Sequence, residues 1–277
     1  MRVAVSGASG FVGRHVMQAL RDRGVDAVGF ARRAAPGADL ALDALNPARD
    51  AFGLLGRPRV LVHLAWGGLP NYRSLDHFER ELPGHYRFLA QMIEAGVEHV
   101  VVAGTCLEYG LRSGPLAETD VPNPTTAYGF AKDALRRQLE LLRGERPFLL
   151  TWARLFYLWG EGQNEKALWP QLQKALARGD AVFDMSGGEQ LRDYLPVTEA
   201  ARHLAALATA AHDHGVVNVC SGIPVSVRAK VEEWIRETGG SLELNLGKYP
   251  YPDYEPFAFW GSREKLDRCL KTTVMNR

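Results

Sequence analysis

The stretch from Val3 to Gly13, Val-Ala-Val-Ser-Gly-Ala-Ser-Gly-Phe-Val-Gly, constrains the fold more than any other part of the chain. Small apolar residues make a buried strand, and Gly7, Gly10 and Gly13 lead into an amphipathic helix predicted over His15 to Arg23. Each glycine has a mechanical reason. Gly7 permits a tight turn, Gly10 lets the backbone approach a pyrophosphate, and Gly13 lets the helix pack hard against the strand. The free N–H groups and positive dipole end of such a helix form an anion site without any cationic side chain. Strand, glycine turn and helix in this order predict a dinucleotide site, with Ser9, Phe11 and Val12 counted in the same turn.

The composition fits that expectation. With 277 residues, 46% hydrophobic and 23% charged, the chain can bury one large α/β domain or two modest ones. The balance of 33 basic and 32 acidic residues gives no electrostatic case for nucleic acid or for an acidic membrane surface. Cys106, Cys220 and Cys269 are odd in number and lack C-x-x-C spacing, so neither a disulfide framework nor a metal site is expected. No apolar run approaches the roughly 18 residues of a membrane helix, and a strand beginning at residue 2 leaves no room for a signal peptide. A cytoplasmic location is expected.

Val25 to Phe30 reads as a second buried strand, followed by Arg32 and Arg33 where folds of this kind sort their cofactors. Two guanidinium groups offer bidentate donors for a ribose 2'-phosphate and favour NADP; the alternatives are two solvated charges and NAD. A short third strand within 39–45 ends at Asp43, which can face an adenine amino group, with Ala44 beside it. Arg59 to Ala65 is the next strand, and Leu64, Ala65 and Trp66 stand at its carboxyl end, where ligands of doubly wound sheets collect. His63 has no second ligand at metal spacing and reads as structural.

A strand predicted over Glu98 to Ala103 leads to Thr105. Further on, Pro124-Thr-Thr-Ala-Tyr128-Gly-Phe-Ala-Lys132 opens a helix. The i, i+4 spacing puts Tyr128 and Lys132 on one face, close enough for the ammonium to favour the phenolate electrostatically. That arrangement makes Tyr128 a tunable acid/base.

On Gly7 to Gly13, Asp43, His63-Leu-Ala65, Gly104-Thr-Cys-Leu-Glu-Tyr-Gly110, Tyr128 to Lys132, Arg154-Leu-Phe-Tyr-Leu-Trp-Gly160, Arg192-Asp-Tyr194 and Asn218-Val-Cys-Ser-Gly222, the chain resembles the extended short-chain dehydrogenase/reductases. The resemblance is to their nucleotide-sugar epimerase, dehydratase and ketoreductase group. It implies that Thr105 binds the substrate carbonyl, Tyr128 carries the proton, Lys132 grips the nicotinamide ribose and Arg192 meets the nucleotide diphosphate. It also implies a homodimer through the helices predicted over Leu75 to Ala95 and Ala127 to Leu142. Three departures stand out. Cys106 and Leu107 replace the Asp-Glu pair of the dehydratases, with Glu108 one position late, and Tyr157 and Trp66 replace the usual asparagine and alanine.

The expected architecture is a Rossmann-type doubly wound parallel sheet over residues 1–156, with a returning scaffold at 190–220. A small substrate-binding lobe from 157–189 and 221–277 contributes Tyr157, Gln163 and Asn164 to the substrate. The expected activity is NADP-dependent reduction of a nucleotide-linked 4-keto-6-deoxy sugar. An NAD-dependent 4-epimerase and a non-catalytic dinucleotide sensor are the alternatives.

Overall fold

The computed structural model describes residues 1–275. Seven strands form the main sheet: β1 (Arg2–Ser6), β2 (Asp26–Ala31), β3 (Leu40–Ala41), β4 (Val60–His63), β5 (His99–Thr105), β6 (Leu149–Leu155) and β7 (Gly215–Val219). Their order is β7-β6-β5-β4-β1-β2-β3 and every pairing is parallel. Alternation along the strands sorts their side chains onto two faces. Val3, Val5, Val62 and Val101 pack on one face against Val16 and Leu20 of helix α1 (Phe11–Asp22) and Leu204 of a helix at Val197–Thr209. Ala4, Leu61, Val100 and Val102 face the other way, against Phe88 of α2 (Leu82–Ala95) and Leu135 and Leu139 of α3 (Ala127–Glu145).

Strand order reverses between β1 and β4, so a crevice opens where the chain leaves their carboxyl ends. Helix α1 begins at Phe11, four residues earlier than predicted, because it starts directly on the glycine turn. The helix expected over Leu75 to Ala95 divides into a π-helical segment, His77–Glu81, and α2, with Pro83 in the first turn, where its missing N–H costs nothing.

The smaller lobe is built on Tyr157–Trp159, Leu191–Pro196 and Pro224–Ser226, a separate three-stranded sheet. Helices Leu168–Arg178 and Val227–Thr238 enclose its core of Leu172, Phe183, Val231 and Trp234. The strand carrying Arg192 was expected to return to the main sheet; it pairs with Tyr157–Trp159 in the lobe instead, and β7 alone makes the return. The last helix, Glu264–Met275, also departs from expectation, since Leu266 packs with Leu207 and Val217 on the main-sheet side. Among the described residues no helix is long and apolar enough to cross a membrane.

Candidate active site

The glycine turn is shaped by close approach. Gly7 adopts φ +67°, and a Cβ there would lie 3.0 Å from the Ala65 amide nitrogen; a Cβ on Gly13 would lie 2.1 Å from the Gly7 carbonyl oxygen. Only glycine fits at either place. Gly10 caps α1 without a side-chain hydrogen bond, so the first-turn N–H groups are left for a ligand. A cavity of about 370 Å³ beside this turn is lined by Gly7, Ser9, Gly10, Arg32, Asp43, Ala44 and Ala65. A second, of about 320 Å³, is lined by Phe11, Val12, Leu64, Thr105, Tyr128, Lys132, Tyr157 and Gln163. Trp66 lines both. A cradle closed to any Cβ, uncapped amides and two cavities that share Trp66 in their lining fit an extended dinucleotide.

Thr105 ends β5 and caps a 3-10 turn, Cys106–Tyr109. Its hydroxyl oxygen accepts the Leu107 N–H at 3.2 Å, which leaves the hydroxyl proton to be donated elsewhere. Tyr128 sits in the first turn of α3, packed among Tyr72, His77 and Trp66 at centroid distances of 5.7, 5.2 and 6.1 Å. Burial drives its phenol well above the ordinary range; Tyr72 and Glu108 reinforce the shift, and a hydrogen bond with Thr105 opposes it. The Lys132 ammonium donates to the Ala103 carbonyl at 2.8 Å and lies 3.9 Å from the Trp66 ring centroid. Burial pushes it down to about 7 against the pull of Glu108 and Glu81. The lysine is turned to a carbonyl and an indole face, with its Nζ 5.9 Å from the Tyr128 ring centroid.

Two buried hydrogen-bond systems support these residues, and sequence reasoning did not anticipate either one. Glu108 accepts from the Thr105 N–H at 2.9 Å, the Trp152 Nε1–H at 2.9 Å and the Arg154 Nε–H at 2.7 Å, so it anchors the turn that carries Thr105. Arg154 keeps its charge because Glu108 outweighs the effect of burial. The second system runs beneath Trp66. Ser6 Oγ accepts the N–H groups of Leu64 and Ala65 at 3.0 and 3.1 Å, so its proton goes to His63 Nδ1 at 2.9 Å. His63 Nε2–H then donates to His85 Nδ1 at 2.9 Å, and His85 Nε2–H to Glu81 at 3.2 Å. Glu81 also accepts the Gly67 N–H at 2.7 Å, and the His85 ring stacks on Trp66 at 4.7 Å. Burial keeps both histidines neutral.

Three of the expected residues stand apart from the groove. Arg33 is exposed and does not line it, whereas Arg32 does. Asn164 is exposed and accepts the Lys166 N–H, away from the cavity. Arg192, expected at the diphosphate, is buried with Nη1 on the carbonyls of Leu191 and Phe257 and Nη2 on Glu255 at 2.9 Å. Both of its Nη nitrogens are already engaged, because the loop before Phe259 folds a carboxylate over it. Glu255 itself lines the cavity. Among the described residues no group of three or more His, Cys, Asp and Glu is placed to hold a metal ion.

A Rossmann-like parallel sheet, a glycine turn and a Thr-Tyr-Lys set on one groove define an NAD(P)-dependent oxidoreductase of the short-chain type. The chain belongs to the NAD dependent epimerase/dehydratase family, whose model matches residues 3–220. It is 30% identical over 273 residues to dTDP-6-deoxy-L-talose 4-dehydrogenase (NAD(+)) of Aggregatibacter actinomycetemcomitans, covering 95% of this chain and all of that protein. It is 31% identical over 274 residues to dTDP-6-deoxy-L-talose 4-dehydrogenase (NAD(P)(+)) of Kitasatospora kifunensis, covering 91% and 83%. Among solved structures, MoeE5 in complex with UDP-glucuronic acid and NAD superposes with a TM-score of 0.83 at 29% identity, covering 98% of this chain and 93% of that one. The matched relatives are thus named for redox chemistry on dTDP-linked sugars, in a family that uses nicotinamide cofactors.

Proposed function

We propose that the protein is an NADP-dependent reductase of a nucleotide-linked 4-keto-6-deoxy sugar. The observation that carries this reading is the placement of Thr105, Tyr128 and Lys132 on one cavity, together with Phe11 and Val12 of the glycine turn and first helix. A phenol that holds its proton is the acid a reduction needs. The bound dinucleotide supplies the hydride. Thr105 donates its hydroxyl proton to the substrate's carbonyl oxygen, and Tyr128 protonates the oxygen as negative charge develops there. Lys132 and Trp66 hold the nicotinamide ribose, and Gly7 to Gly13 hold the pyrophosphate.

The 4-position and the 6-deoxy sugar are supported by the two 6-deoxytalose 4-dehydrogenases, whose named reaction runs in the opposite direction at the same carbon. Arg32 on the rim of the adenine-side cavity favours NADP. Gln163 Oε1, buried and without a hydrogen-bond partner among the described residues, is a free acceptor for a sugar hydroxyl. The enzyme would work as a cytoplasmic homodimer, with exposed Phe130 and Leu141 on one face of α3 as the contact; light scattering on the purified protein tests this.

The deciding experiment is incubation with a dTDP-linked 4-keto-6-deoxyhexose and NADPH. Many equivalents of NADPH should be oxidised per active site. Interconversion of 4-epimers without added cofactor would replace this reading with the NAD-dependent epimerase.

A further inference from the structure

The cavity beside Tyr128 contains one carboxylate that the reaction does not use. Glu255 lines it together with Thr105 and Tyr128, on a loop that packs Tyr254 against Tyr72. Its counter-ion stands behind it. Arg192 is 2% exposed, lies 5.5 and 4.9 Å from the ring centroids of Tyr157 and Phe259, and does not line the cavity. The face that this ion pair turns to the cavity is therefore the negative one. The only cation among the lining residues is Lys132, already committed to the Ala103 carbonyl and the Trp66 face.

A hydroxyl entering this space can donate to Glu255. A second carboxylate would give up its water, meet a like charge and find no free cation.

We infer that Glu255 sets the sugar specificity of the site: it hydrogen-bonds a hydroxyl of a sugar with neutral ring substituents and excludes nucleotide-linked uronic acids. This rests on the nucleotide-sugar reading given above. Arg192 acts through Glu255, holding its carboxylate in place, and is a positioning residue.

The test uses pairs of ligands that differ only at C6. Calorimetry on the NADP-loaded protein compares UDP-glucose with UDP-glucuronic acid, and dTDP-glucose with dTDP-glucuronic acid. Wild-type protein should bind the uronic acid more weakly by at least about tenfold. Glu255→Gln removes the charge and leaves Arg192 without its counter-ion, so the gap should shrink to about threefold or less, through tighter uronate binding. Glu255→Asp keeps the charge and should keep the exclusion, which separates charge from mere packing. Equal binding of the two sugars by wild-type protein overturns the inference, and so does a gap unchanged in Glu255→Gln. Should Glu255→Gln fail to fold, the wild-type ratio and Glu255→Asp decide. Binding of neither sugar of either pair would remove the nucleotide-sugar reading itself, a failure distinct from loss of discrimination.

Discussion

Glu108 offers the sharpest test of how the fold holds its chemistry. One carboxylate oxygen accepts from the Thr105 N–H and the Trp152 indole, both at 2.9 Å, and the other accepts from Arg154 at 2.7 Å. All of these groups are buried. In Glu108→Gln the amide has one oxygen to offer. If that oxygen serves Thr105 and Trp152, the amide N–H group faces the Arg154 Nε–H, donor against donor. If the side chain flips, the Thr105 N–H is left unpaired, while Trp152 can still reach the oxygen, as it reaches that carboxylate position at 3.1 Å now. Either way Arg154 keeps a buried charge with no counter-ion, and breaking such a pair costs about 3–5 kcal/mol, a large part of a typical stability of about 5–15 kcal/mol. Urea denaturation should show this loss, and the enzyme should slow because the Thr105 turn is released. Glu108→Gln combined with Arg154→Met, which removes the stranded charge, should recover about 2 kcal/mol or more. A loss under about 1 kcal/mol in the single variant, or no recovery in the double, would refute the reasoning.

The remaining predictions concern the reaction and its pH limits. Tyr128→Phe should lower turnover by at least about a hundredfold while a fluorescence titration finds cofactor affinity nearly intact, because the proton is lost but the ring remains. Arg32→Ala should weaken NADPH binding by about 1.5–3 kcal/mol and leave NADH little changed, whereas Arg33→Ala should matter far less; titration with both cofactors checks this. Lys132→Met should raise stability by about 1–3 kcal/mol in thermal melts while cofactor affinity falls, since burial of the ammonium that pushes it down to about 7 costs the fold. On acidification, stability should fall below about pH 6.5. Burial holds His63 and His85 down, and His99 and His203 to about 4, so the unfolded chain binds protons that the native state refuses. The slope approaches about 1.4 kcal/mol per pH unit for each histidine, and denaturation at several pH values measures it.

The main sheet and the cofactor cradle were legible in the sequence because both are local. A strand, a glycine turn and a helix follow one another in the chain, and Tyr128 meets Lys132 through helical spacing alone. Side-chain contacts between distant elements were not legible. Glu108 read as an acid displaced by one position; its role came from Trp152 and Arg154, more than forty residues on, which no periodicity links to it. His63 read as structural, but nothing in the sequence tied it to His85, 22 residues further on. Arg192 read as a phosphate ligand because nothing in its own strand foretold that Glu255 would fold over it. Trp66 was legible as a residue at the ligand end of its strand, but its stacking against His77 and His85 was not.

The chain from Ser6 through His63 and His85 to Glu81 has a polarity. Two backbone amides saturate the Ser6 oxygen, so every proton along the chain points one way and the series cannot reverse. Such a chain can open only as a unit, since rotating one imidazole leaves both neighbours with unmatched donors or acceptors. It also fastens β1, β4 and α2 together directly below the turn at Trp66 and Gly67. The amide protons of Leu64 and Ala65 should consequently exchange with deuterium among the slowest in the protein, at the rate of global unfolding. The floor of the groove then stays fixed in each catalytic cycle, and any motion that admits or releases ligand falls to the lobe above it.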